Sequence, residues 1–417
     1  MKAEIIAVGS ELLTPYRLDT NSLFLTGELN SLGIRVTRKV IVGDNAVLLR
    51  EAFREALERV EVVVASGGLG PTADDLTRET VADLLGRRLL RDESILRGIE
   101  ARFKRFARSM PDINVRQAMV PEGALVLPNP RGTAPGLWIE ADGRIILLLP
   151  GPPTELEAMF RSEVRPRLSK RAPGLRLFTR DVRIAGLPES EVEQRVAPIY
   201  TQYKEAETTI LAAPGEIQLH PRIWSEDAAG AEKILDEMVE RIVLALGESI
   251  FTTSGETLEQ VVACTLLFNR ATLATAESCT GGLLSERLTD VPGSSAYFRG
   301  GVVSYSNDLK SAFLDVPAEL IEAKGAVSSE VALAMAEGVR RLTRSTLGLS
   351  VTGIAGPGGG TPAKPVGTVH IGLADEAGAR ERGFRFPGDR DRIRQQAAQA
   401  ALDMVRRHFI SRPRGKG

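Results

Sequence analysis

A serine and a lysine carry the chemistry that this sequence offers most clearly. Ser278 stands in Ala276-Glu-Ser-Cys-Thr-Gly-Gly282, after the apolar, β-branched run Ala271–Thr275 and before Leu283–Thr289, whose spacing is helical. The serine therefore sits at a strand-to-helix corner, beyond the carboxyl end of a strand, where ligands of open α/β sheets collect. A hydroxyl there could be a nucleophile, with Thr280, Gly281 and Gly282 shaping the pocket beside it; equally, Ser278 or Thr280 could cap the helix. Most of the 53 basic residues are arginine, so Lys310, at the helix start Asn307-Asp-Leu-Lys310, stands out. Lysine can lose its proton when desolvated and arginine cannot. Ser–Lys pairs need no histidine, and a neutral Lys310 could take the Ser278 proton and return it to a leaving amine. A surface lysine on a helix is the ordinary alternative. Cys279 is a rival nucleophile without a histidine in sequence to activate it.

Two further groups surround this pair in the sequence. Thr352 and Gly353 end the strand Leu347–Thr352 and open a glycine-rich loop, which predicts N–H groups for an oxyanion or phosphate. Arg390, Arg392 and Arg394 open the last helix and could neutralise a phosphate. Arg390 and Arg394 share a helical face, so one of them should point at the ligand. Pairing of the run with Asp389 and Asp391 is the competing role.

A second candidate site lies near the N-terminus. The strand Val60–Ala65 runs into Ser66-Gly-Gly-Leu-Gly-Pro-Thr-Ala-Asp-Asp75, where Gly67, Gly68 and Gly70 let backbone approach a ligand and Pro71 and Thr72 precede a helix start. Asp74 and Asp75 repel a bare phosphate but suit a divalent ion bridging to it. Thr72 and Asp75 also have capping-box spacing. The corner Gly9-Ser10-Glu11 and the turn at Gly151 in Leu149-Pro-Gly-Pro-Pro153 end strands in the same way and could line one nucleotide pocket.

The elements that must position these residues follow from length and pattern. The 417 residues, 43% of them hydrophobic and 26% charged, allow two or three domains with their own cores. A net charge of −1 argues against direct nucleic-acid binding as a general property. No apolar run is long enough for a membrane span, and Glu4 interrupts the start too early for a signal peptide, so a cytoplasmic protein is expected. The two cysteines, Cys264 and Cys279, are too few for a disulfide framework, and Cys264 reads as core. His220, His370 and His408 lack metal-ligand spacing. Strands and helices alternate to about residue 170, predicting a wound α/β domain. Lys170–Gly174 reads as a linker. A β-α-β-β-α pattern follows, with Leu177–Ile184 as its first strand. It resembles a K-homology fold without the GxxG clamp, because the corner reads Ala185-Gly-Leu-Pro188. A second α/β domain begins near Thr257, and the Arg-rich tail from Arg412 is expected to be disordered.

These residues are those of a known family. Ala276–Gly282, Gly293-Ser-Ser295, Val303-Ser-Tyr305 with Lys310, Gly325–Ser328, Thr352–Pro357, Lys364–Thr368 and Gly388–Arg390 resemble the CinA C-terminal family. Gly67–Thr72 with Asp74-Asp75, and Leu149–Pro153, resemble the CinA N-terminal domain, which is similar to molybdopterin-binding folds. The resemblance implies a molybdopterin-binding-like three-layer α/β domain (1–170), a small α+β K-homology-like module (175–252) and a C-terminal α/β amidohydrolase domain (255–412). It further implies a bifunctional, dimeric pyridine-nucleotide salvage enzyme. Its C-terminal domain would deamidate nicotinamide mononucleotide (NMN) with the dyad Ser278–Lys310, while Tyr305, Thr352 and Arg394 orient substrate and no cofactor is used. Its N-terminal domain would cleave ADP-ribose with a divalent metal such as magnesium on Asp74 and Asp75, with Asp44 a further candidate. Two other classes stay open: a non-enzymatic accessory protein of competence or DNA damage response, and a molybdopterin-binding first domain.

Overall fold

The computed structural model describes residues 1–172 and 174–410. Part of the expected linker and the tail from Arg412 lie outside the described residues. The chain divides into two compact units, Met1–Phe178 with Trp224–Ala228, and the remainder.

The first unit carries the strands β1 (Lys2–Val8), β2 (Arg35–Val42), β3 (Val62–Ser66), β4 (Leu89–Arg91), β5 (Met119–Pro121), β6 (Leu125–Leu127), β7 (Gly136–Ala141) and β8 (Arg144–Leu149). Its main sheet has the order β2-β1-β3-β8-β7-β6, and β4 pairs with β5 separately. All five residues of β3 are buried, as expected for a β-branched strand between parallel neighbours covered on both faces. Leu25, Leu29, Leu156 and Phe160 pack on one face of the sheet, and Leu49, Phe53 and Val81 on the other. This makes the three-layer, molybdopterin-binding-like arrangement. Glu4 is buried within β1 because Arg59 grips it through Nε and Nη2 at 2.8 and 2.9 Å, a charge-assisted bidentate pair that compensates its desolvation. The stretch around Arg116 is a 3₁₀ segment, Asp112–Ala118, that runs directly into β5.

In the second unit the middle module follows β9 (Arg176–Thr179) with β10 (Val182–Ala185), β11 (Glu207–Ala213), β12 (Glu216–Ser225) and β13 (Ile250–Thr252). They form a sheet along β11-β12-β10-β13, covered by the helices Glu189–Tyr200 and Ala228–Leu246. The single strand expected over Leu177–Ile184 is broken at Arg180-Asp181. Arg180 turns away to bond Asp236 at 2.7 Å, and Asp181 pairs with Arg183 at 3.0 Å. The backbone there still bonds outward, the Arg180 N–H to the Pro221 carbonyl at 3.0 Å, with Asp181 bridged to Ser254.

The last module contains β14 (Leu273–Glu277), β15 (Phe298–Val303), β16 (Leu347–Gly353), β17 (Thr368–Asp375) and β18 (Gly378–Arg385), in the order β15-β14-β16-β17-β18. The first three are parallel and the last two antiparallel. The helix Leu258–Phe268 begins on a Thr257/Gln260 capping box. It buries Leu258, Val262, Ala263 and Leu266, which leaves Cys264 exposed. The core assignment of Cys264 is therefore corrected: it lies about 100° round the helix from Ala263, beyond the buried stripe. The final helix, Arg390–Ile410, packs against the sheet and also reaches the middle module, where Arg406 donates to the Glu248 and Ile250 carbonyls. Among the described residues no helix is long and apolar enough to cross a membrane.

Candidate functional site

Ser278 leaves the end of β14 with its N–H bonded to the Val351 carbonyl of β16 at 2.9 Å. The parallel partner on its other side is β15, paired Glu277 with Val303, and the Ser304 N–H continues that ladder to the Glu277 carbonyl at 2.9 Å. The chain then turns into the helix Asn307–Leu314, whose N-cap Ser306 accepts from the Leu309 N–H. Lys310 lies in the first turns of this helix and is 1% exposed. Two adjacent parallel strands therefore deliver the serine and the lysine to the same edge of the sheet. Lys310 Nζ is 3.1 Å from Ser278 Oγ and 2.7 Å from the Ser304 carbonyl oxygen, with the Tyr305 carbonyl at 3.5 Å. Burial pushes the lysine pKa below its ordinary value, because desolvation disfavours the ammonium and no carboxylate among the described residues bonds to it. The half-buried serine thus has a base within proton-transfer distance.

The turn after Ser278 is held by a residue that the sequence pattern does not single out. Glu277 is fully buried, and its carboxylate accepts from the N–H groups of Gly282, Leu284 and Ser285 at 2.8–3.1 Å and from the Ser285 hydroxyl at 2.6 Å. Four donors on one carboxylate fix the corner that presents Ser278. The available signal is an acid ending an apolar strand just before a glycine turn. Gly281 and Gly282 have φ of +61° and +100°, which only glycine adopts cheaply. Cys279 is buried, and its thiol is pushed up to about 12, chiefly by desolvation. It is thus held as a neutral thiol next to the serine.

The other expected residues divide. Thr280 Oγ1 is buried without a hydrogen-bond partner, as is Ser304 Oγ; such atoms cost free energy unless a ligand or water satisfies them. Arg394 gives Nε and Nη2 to the Thr280 carbonyl at 3.3 and 2.8 Å, so it braces the nucleophile turn. Arg390 donates to the Gly356 carbonyl at 2.9 Å and to the Tyr305 hydroxyl at 2.8 Å. Both of these partners are neutral, so its charge is available beside the exposed Tyr305. Arg392, two residues on and on another helical face, lines a different cleft. The expectation that Thr352 offers a free donor is corrected. The Thr352 hydroxyl is given to the Ala326 carbonyl, Gly353 is still paired within β16 and β17, and the next N–H, of Ile354, bonds the Thr368 carbonyl. The strand runs one residue further than its sequence suggests and takes Thr352 into its ladder with β17, while Gly353 stands at the alternate position, whose N–H points away from β17.

In the first unit a pocket of about 850 Å³ opens at the carboxyl ends of β1, β3 and β8. Gly9, Glu11, Gly67, Gly68, Gly70, Pro71 and Gly151 line it, together with Asp44, Asp74 and Asp75. Gly67 has φ +102°, and a Cβ there would lie 2.3 Å from the Val8 carbonyl oxygen, so the close approach of two strand ends demands glycine. Ser10 and Thr72 act from behind the wall. The Ser10 N–H bonds Asp44 Oδ2 at 2.8 Å while its hydroxyl accepts from the Asp44 N–H. Thr72 gives its N–H and hydroxyl to Asp75 Oδ2 at 2.9 and 2.5 Å. These bonds close the turn Thr72–Asp75 and do not cap the helix, which begins at Thr77 after Leu76 with no side-chain cap. Among the described residues no three His, Cys, Asp or Glu side chains gather as a metal site. Asp44, Asp74 and Asp75 do not make a cage by themselves. A hard cation there would need ligand phosphates and water to complete its shell.

Known families match the chain in three consecutive pieces: "Probable molybdopterin binding domain" over residues 4–170, "Damage-inducible protein CinA KH domain" over 179–252 and "CinA C-terminal domain" over 255–409. Among curated relatives, the CinA-like protein of Koribacter versatilis is 51% identical across 98% of this chain and 100% of its own. The CinA-like protein of Acidobacterium capsulatum is 50% identical, again over 98% and 100%. That of Solibacter usitatus is 48% identical over 99% of each. With identity of this order running the length of both chains, the protein belongs to the CinA family.

Proposed function

We propose that the last module is an amidohydrolase that converts NMN to nicotinate mononucleotide and ammonia. The observation that carries this reading is the contact of 3.1 Å between a buried lysine amine and the Ser278 hydroxyl. Neutral Lys310 accepts the serine proton as Oγ attacks the carboxamide carbon, giving a tetrahedral adduct. The lysine then returns the proton to the departing nitrogen, and ammonia leaves an acyl-enzyme. Water, deprotonated by the same amine, attacks the ester, and the proton goes back to Ser278 Oγ. Arg390, exposed and bonded to neutral groups, suits the substrate's phosphate, with Tyr305 held beside it. The unpartnered Thr280 hydroxyl belongs to the same turn as the nucleophile and supplies a polar contact for the substrate.

For the first unit we propose hydrolysis of ADP-ribose to AMP and ribose 5-phosphate. The support is a glycine-lined pocket large enough for a nucleotide, with carboxylates on its wall. A divalent ion belongs to this proposal as a partner shared between carboxylates and the ligand's own phosphates, and no step is assigned to it. The test is to incubate the full-length protein separately with NMN and with ADP-ribose, with magnesium or with a chelator, and identify the products. Ammonia from NMN in both conditions and AMP only with magnesium are expected. Absence of ammonia would remove the first reading, and chelator-resistant AMP release would remove the metal from the second.

A further inference from the structure

Within the second unit, a cleft of about 860 Å³ lies between the middle module and the last module. One wall is the corner Ala185–Glu189 and the hairpin end Ala212–Ile217; the other is β18 with the residues after it and the outer face of the helix Arg390–Ile410. Nothing in the dyad or in the N-terminal pocket uses these residues.

The charges of this cleft do not cancel. Of its four lining carboxylates, Glu216 is held by Gln218 and Gln399, Glu381 by His370 and Ser329, and Asp403 by Arg406 and Arg407. Glu189, exposed at the start of its helix, is the one without a partner among the described residues. Of the arginines, Arg380 bonds His408 and Arg407 bonds Asp403. Arg382, Arg385 and Arg392 have no hydrogen bond or ion pair from their side chains among the described residues. Three unpaired guanidinium groups thus face one unpaired carboxylate.

The same wall is aromatic. The rings of Phe384 and Phe386 stack at 5.1 Å with 14° between their planes, and the Arg382 guanidinium lies over Phe384 at 5.0 Å. Leu187 and Met404 complete the apolar lining. A bare inorganic anion would leave this surface unused, and an uncharged aromatic would leave the arginines unused. A ligand with a flat ring and a phosphate uses both, and the volume falls in the range of small-molecule sites at module boundaries.

We infer that this cleft binds a nucleoside monophosphate, with the base against the Phe384–Phe386 wall and the phosphate among Arg382, Arg385 and Arg392. It is a third nucleotide site, apart from both proposed reactions.

The test uses the full-length protein with AMP, adenosine and inorganic phosphate as separate probes, by calorimetry and by co-crystallisation. Because AMP is also a product proposed for the N-terminal pocket, the location is read from the crystals. The affinity is read by comparing wild type with Arg382→Ser/Arg385→Ser and with the charge reversal Arg385→Glu. The expected result is AMP in the cleft, with adenosine and phosphate each at least 10-fold weaker. Both variants should weaken this site at least 10-fold while melting temperature and ammonia release from NMN stay unchanged. Three results would overturn the inference: AMP absent from the cleft, unchanged affinity in both variants, or phosphate binding as tightly as AMP, which would mean an adventitious ion only.

Discussion

The two proposed reaction sites are built on opposite plans. In the last module the reacting groups already touch: Lys310 Nζ sits 3.1 Å from Ser278 Oγ, its pKa lowered by burial. In the first unit the carboxylates are tied to backbone groups of the wall, Asp44 by Ser10 and Asp75 by Thr72, around a wide glycine-lined space. The first plan stores catalytic power in the protein, where preorganised groups need no rearrangement when substrate arrives. The second leaves the assembly of the site to the ligand and any ion it brings. Side-chain deletions should therefore strike the dyad as loss of chemistry, and strike the pocket first as loss of shape.

The largest contrast is expected at Ser278. Ser278→Ala should lower ammonia release from NMN by at least about 10³-fold, with melting temperature and ADP-ribose turnover unchanged. Retained deamidation in a quantitative ammonia assay would erase the distinction between the two plans.

Lys310→Met should be nearly as inactive, yet fold at least as stably at neutral pH, since an apolar side chain replaces a buried amine. The sign of the pH effect follows from the depressed lysine pKa. Between the folded value and the ordinary lysine value the unfolded chain holds the extra proton, so wild-type stability rises with pH across that window. Below the folded value the full cost of burying the ammonium is present. Deamidation should likewise rise with pH until the amine is neutral and then level off. Denaturation profiles of Lys310→Met with the same slope as wild type would contradict the buried, neutral amine.

At the other site the sharpest probe is backbone. Gly67→Ala forces a Cβ against the Val8 carbonyl at a φ that L-residues avoid. It should cost about 1–3 kcal/mol and reduce ADP-ribose turnover, while NMN deamidation persists. Thermal unfolding followed with both assays distinguishes this from general loss of fold.

The smallest effect is expected at the cysteines. Iodoacetamide at pH 8 should modify exposed Cys264 and spare Cys279, whose buried thiol titrates at about 12, and deamidation should survive. Peptide mass mapping that finds Cys279 alkylated in active, folded protein would reopen it as a nucleophile.

Some features can be read directly from the chain. The Ser278 corner, the helix start at Thr257 and the all-buried β3 have local causes: glycine turns, capping side chains and β-branched runs. Others cannot. Cys264 reads wrongly as core because helical periodicity leaves the edge of a stripe uncertain by one residue. Thr352 looks free because a strand's last ladder bonds are invisible until its partner is known. Glu277 shows in the sequence only as an acid ending an apolar strand before a glycine turn; that it holds four donors is set by how the turn and helix start fold back over it.

What the sequence determined by itself was the identity of the reacting groups and the kind of corner each occupies, because residue type and turn chemistry are local. Only the tertiary structure decided that Ser278 and Lys310, thirty-two positions apart, meet. Their contact depends on β14 and β15 pairing in parallel register, and on the packing that strips water from the amine. Long-range pairing and desolvation arise between segments, so no single stretch of chain contains them.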